Sequence, residues 1–133
     1  MGAIVLSPDR AGLDIRADAF IGAAVRHWGE SARVLVSNLS RAAANVDVHP
    51  RSGTPRSCLV TLLHKGSIST DGTWDQAAEV AAWARSLLPA GCEFRVWMID
   101  DEYSGHVELT AGITPEQILA GWVDHETHGY PDI

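Results

Sequence analysis

The sequence is poor in the groups that staple small proteins together. Cys58 and Cys92 are the only cysteines among 133 residues, and no C-x-x-C spacing relates them. Each sits in an apolar stretch, so both are expected as buried, reduced thiols, and the core must hold without a disulfide or a structural metal. Long apolar runs are missing as well: helical stretches such as 20–25 and 81–84 fall far short of the about 20 residues that cross a bilayer. Ala3, Ile4, Val5 and Leu6 are too few for the apolar region of a signal peptide and follow no basic start. The expectation is a cytoplasmic protein not embedded in a membrane. Nucleotide and nucleophile motifs are wanting too. No G-x-G-x-x-G or G-x-S-x-G occurs, and in the run from Lys65 through Gly66 and Gly72 to Thr73 the lysine precedes both glycines, the wrong order for a phosphate loop.

Positive charge is scarce in one half. Residues 1–70 carry eight Lys/Arg against five Asp/Glu, whereas residues 71–133 carry two against twelve, a balance of +3 against −10 within a net charge of −7. A surface of that sign repels nucleic-acid phosphates and suits a basic partner or a cation. The chain has close to the commonest domain length and buries roughly two-thirds of its unfolded surface, so a single domain over 1–133 is expected.

Residues 2–6 read as a short buried strand ended by Ser7, Pro8 and Asp9. Asp14 or Asp18 is placed to cap a helix in which Phe20, Ile21, Ala24, Val25 and Trp28 share a face and Gly29 supplies the stop. Strand formers over 33–39 and alternation over 45–49 predict two strands joined by 40–44. Pro50, Gly53 and Pro55 with Arg51 and Arg56 predict an exposed basic loop over 51–57, ahead of a strand over 58–64. Thr73 and Gln76 form a capping-box pattern before Ala77, Val80, Trp83, Ala84, Leu87 and Leu88, with Pro89 as the stop. Consecutive strands over 93–100 and 106–110 should pair antiparallel. Thr114, Pro115 and Gln117 repeat the capping box for a third helix whose buried side is Ile118, Leu119, Trp122 and Val123. From about residue 125 the tail has no pattern. The order β-α-β-β-β-α-β-β-α predicts an α+β fold: a largely antiparallel sheet of five to six strands with two to three helices packed on one face, a two-layer sandwich.

Candidate chemistry concentrates near the end. His106 and Glu108 lie on a strand, and His125 and His128 are three apart after the third helix, so the four offer ligands for zinc or manganese, although the spacing is not that of H-E-x-x-H. The competing reading is solvated polar residues at a chain end. Strand alternation predicts that Phe94, Val96, Met98, Val107 and Leu109 face the core, and that Arg95 and Trp97 share the other face with His106 and Glu108. There, Arg95 and Trp97 either anchor an interface, or Arg95 pairs with Glu108 and Trp97 is covered. Asp100, Asp101 and Glu102 make a carboxylate run at the hairpin end, either a divalent-cation site or a solvated turn. Arg51 and Arg56 suit a phosphate or the acidic half of another copy.

Together these features predict a protein-binding domain, an antidote or immunity-like protein or a regulator, with no nucleic-acid or membrane partner. Its acidic C-terminal half would meet a basic protein partner through Arg95, Trp97, Asp101, Glu102, His106 and Glu108. Two alternatives stay open: a small metal-dependent enzyme using His106, Glu108, His125 and His128 with zinc or manganese, and a structural homo-oligomer without ligand.

Overall fold

The computed structural model describes residues 2–6, 13–35, 42–50, 56–91, 95–100 and 102–128. Among them, eight strands form one sheet: β1 (Ala3–Leu6), β2 (Arg33–Leu35), β3 (Ala42–Val48), β4 (Cys58–Leu63), β5 (Ile68–Thr70), β6 (Val96–Asp100), β7 (Gly105–Leu109) and β8 (Val123–Asp124). Their spatial order is β2-β3-β4-β5-β1-β6-β7-β8, and every neighbouring pair is antiparallel. The helices are α1 (Ala17–Trp28), α2 (Trp74–Ser86) and α3 (Pro115–Ala120), and a single helical turn, His125–His128, follows β8.

The expected α+β class and antiparallel sheet are present, but the five to six strands become eight. β5 has three residues and lies inside the glycine-punctuated stretch 65–73. β8 has two, too few for any alternation to register. β3 starts at Ala42, within the expected connection 40–44; alanine is a weak strand former, and the ladder carries an irregularity between Ala42 and Ala44. The remainder of the strand expected over 33–39, together with Arg51, Cys92, Phe94 and Asp101, lies outside the described residues.

Register decides what the sheet buries. Val5 opposes Ile68 and Met98, Val46 opposes Val60, and Met98 opposes Val107, so these side chains project from one face. There they meet Phe20 and Ala24 of α1, Ala77, Val80 and Ala84 of α2, and Ile118 of α3. Phe20, Met98 and Ile118 are completely buried, each contributing about 1.5–3 kcal/mol relative to an exposed position. Both capping boxes form as the sequence predicts: Thr73 and Gln76 close the start of α2, and Thr114 and Gln117 that of α3 with Pro115 at its first position. α1 instead begins after Arg16, which makes no side-chain cap, with Asp18 in the first turn where the helix dipole favours it. Arg85, only 5% exposed, donates to the carbonyls of Leu109, Leu88, Pro89 and Ala90, tying the end of α2 to β7. Cys58 is buried and free, and burial pushes its thiol pKa up to about 11, which leaves it a poor nucleophile at neutral pH. Among the described residues no helix is long and apolar enough to cross a membrane.

Candidate functional site

Polar side chains of the second half gather where β6 turns into β7. Asp100 closes β6 and is 8% exposed; its Oδ1 accepts from Ser104 N at 2.7 Å and Gly105 N at 3.3 Å, and its Oδ2 accepts from Ser104 Oγ at 2.5 Å. Hydrogen bonds to a charged acceptor are about twice as strong as neutral ones, so this carboxylate fixes the turn. Tyr103 in that turn has φ 52°, a left-handed conformation that costs a residue with a Cβ about 1–2 kcal/mol. The twist turns its carbonyl toward His125, whose Nδ1 lies 2.8 Å from Tyr103 O.

Across the hairpin's helix-free face runs a line of planar groups. Arg95 Cζ sits 4.5 Å from the centre of the Trp97 ring, Trp97 meets His106 edge-on at 5.1 Å, and His125 meets Tyr103 at 4.7 Å. His106 Nδ1 and His125 Nε2 are 2.9 Å apart. A carbonyl oxygen can only accept, so His125 Nδ1 carries a proton, and in the tautomer with both rings neutral its Nε2 presents a lone pair. His106 Nδ1 must then donate, which leaves His106 Nε2 as the open basic nitrogen of the pair. Burial, then the neighbouring His125 and Arg95, hold the His106 pKa below its ordinary value.

The helix-side face of the same hairpin is built differently. Gly105 has no side chain, and a Cβ there would come within 2.3 Å of Trp122 Nε1, so Trp122 lies directly over the β7 backbone. Trp74, the first residue of α2, meets Trp122 at 4.5 Å with the rings at 89°. Trp74, Trp122, Asp100 and Ser104 line a cavity of 360 Å³. The capping boxes of α2 and α3 therefore position the site: one sets Trp74, and the helix begun by the other ends at Gly121, just before Trp122.

The alternation expected for the hairpin holds: Trp97 opposes Glu108, Met98 opposes Val107 and Ile99 opposes His106. Arg95 is bound to Glu108 through Nε at 3.1 Å and Nη2 at 3.3 Å. Trp97 is 5% exposed yet stands apart from the main core, consistent with its place on the helix-free face. Glu102 is exposed at the turn, and Asp101 lies outside the described residues. His106 and His125 do come together. Glu108 is engaged by Arg95, and the side chain of His128 lies outside the described residues. The 2.9 Å separation of the histidine nitrogens is a hydrogen bond, shorter than the about 3.3 Å between two nitrogens around a tetrahedral zinc. No group of three or more His, Cys, Asp or Glu side chains converges among the described residues. Sequence reasoning missed the Trp74–Trp122 corner entirely. Gly105, expected in the hairpin connection, instead opens β7, where a glycine in a strand marks a close approach. No family model matches the chain, and neither a curated protein nor a solved structure matches it significantly.

Proposed function

We propose that this protein is a binding domain, cytoplasmic and without nucleic-acid or membrane partners, that receives a basic protein at the end of the sheet formed by β6, β7 and β8. An antidote to a cationic toxin or a regulatory subunit would work in this way. The observation that supports the reading is how the second half spends its two arginines: Arg85 is buried against backbone carbonyls, and Arg95 is held by Glu108. Glu102, Asp124 and Glu126 are exposed around the turn. Their field falls on one end of the molecule and would speed the encounter with a partner of opposite sign.

The test is binding of an octalysine peptide to wild type, to Glu102→Gln with Glu126→Gln, and to Asp14→Asn with Asp18→Asn, which removes the same charge at the start of α1. The reading expects about tenfold weaker binding for the first pair, little change for the second, and loss of affinity as salt shortens the Debye length to about 8 Å. Equal losses from the two pairs would show a response to net charge alone and sink the reading. A second reading, a metal-dependent enzyme using His106, Glu108, His125 and His128 with zinc or manganese, draws support from the meeting of His106 and His125. It requires Glu108 to leave Arg95 and the proton between the rings to depart. Stoichiometric zinc or manganese in equilibrium dialysis, lost in His125→Ala, is its expected signature; no bound metal rejects it.

A further inference from the structure

We infer that the corner between Trp74 and Trp122 is a receptor for a lysine-type alkylammonium group, with Asp100 as its anion. The inference rests on the basic-partner reading and names the side chain that such a partner would insert. Two indole rings in edge-to-face contact at 89° form a corner with two π-faces at right angles. Such faces attract cations through their quadrupoles, and tryptophan does so best. The cavity between them is bounded by Asp100 and Ser104. Asp124 pairs with Gly105 in the ladder, so its side chain projects from the face of the sheet that Trp122 covers. The site therefore combines aromatic walls, a carboxylate at the wall and further negative charge nearby.

The hydrogen bonds of Asp100 choose between the two basic side chains. An ionised carboxylate offers about four lone-pair positions. Ser104 N and Gly105 N take both on Oδ1, and Ser104 Oγ takes one on Oδ2. One position on Oδ2 is left. A guanidinium binds best through two parallel bonds to two oxygens, which this carboxylate no longer has; an ammonium needs only one acceptor and can turn its three N–H groups to find it.

The experiment follows the five tryptophan indole N–H signals of the full chain by nitrogen–proton correlation NMR during titration with n-butylammonium, n-butylguanidinium and neutral n-pentanol. Saturable shifts of the Trp74 and Trp122 signals with butylammonium, at least about fivefold weaker for butylguanidinium and for pentanol, are expected. Trp74→Leu should weaken butylammonium binding by about fivefold or more, with the signals of Trp28 and Trp83 reporting that the core is intact and that of Trp97 that the other face of the hairpin is. Because the ligand series needs no variant, a misfolded substitution leaves the test standing. Equal binding of pentanol would show a merely apolar pocket, and unmoved Trp74 and Trp122 signals would show none; either overturns the inference. If octalysine binding depends on Glu102 and Glu126 while butylammonium leaves the corner unmoved, the docking face stands and the receptor falls. If butylammonium binds at the corner while octalysine ignores those charges, the receptor stands without that face.

Discussion

At the β8 end of the sheet, the backbone and side chains are held by directed bonds from Asp100, His125 and Tyr103 and by a tryptophan lying on a glycine, whereas at the β2 end the outermost residues are Val34, 53% exposed, and Leu35, 40% exposed. Among the described residues both outer strands are short, three residues in β2 and two in β8. Beside β2, Ile21 of α1 and Val34, Leu35, Ala42 and Asn45 border a groove of 260 Å³. Apolar contact is non-directional and tolerates changes of side chain. A hydrogen-bonded turn with a close backbone approach does not. The contrast therefore predicts that sensitivity to substitution is concentrated at the β8 end.

The sharpest way to break that contrast is to fill the space over β7. In Gly105→Val the first side-chain carbon would fall 2.3 Å from Trp122 Nε1 and 2.5 Å from Trp122 Cε2, so the indole must leave the sheet and abandon Trp74. Overpacking of this kind costs about 1–3 kcal/mol, and loss of the aromatic pair adds about 1 kcal/mol. Urea unfolding should show the midpoint falling accordingly with an unchanged slope. A variant as stable as wild type would mean that Trp122 is not seated where the close approach requires.

The same contrast explains what could be read from the residues beforehand. The hairpin faces, the two capping boxes and the reach of Arg95 toward Glu108 follow from periods of two and three to four residues, and all of these are local. The Trp74–Trp122 corner joins the start of α2 to the residue after α3, 48 positions apart, and no local period connects them. Asp100 read as one of three carboxylates in a solvated run. Its role depends on the turn folding back so that Ser104 and Gly105 donate to it, which removes it from the surface charge. β5 was hidden because Gly66, at φ 86°, and Gly72 flank it with turn signals, and three residues cannot outweigh them.

A smaller effect, of a different kind, is expected from acid. The groups facing His106 are His125 from the helical turn, Arg95 ahead of β6 and Trp97 on β6, with Glu108 two residues along β7 and bound to Arg95. The pKa of His106 is lowered in the folded protein from 6.5, so between the folded value and 6.5 the unfolded chain binds more protons. Stability then rises with pH in that window. The contribution is complete above pH 6.5 and is lost as pH falls through the lowered value. Thermal midpoints between pH 7.5 and 5.5 should fall less steeply in His106→Gln than in wild type. Parallel curves would remove His106 as the titrating group.

The smallest change is expected at the other edge. Val34 stands opposite Val46 in the ladder, yet more than half of its surface meets solvent, so replacing it by threonine keeps a β-branched side chain and gives up little burial. The stability of Val34→Thr should stay within about 0.5 kcal/mol of wild type, the range of ordinary surface substitutions. An exposed apolar strand at a sheet edge also offers unpaired backbone groups to a second copy. For that reason Val34→Lys, which places a charge on the edge, is the companion variant, and sedimentation velocity is the measurement. A homo-oligomer built on the β2 edge would show as a concentration-dependent dimer in wild type that Val34→Lys removes while Gly105→Val leaves it in place. A wild type that sediments as a monomer over the whole concentration range would reduce the β2 edge to a tolerant margin of the sheet.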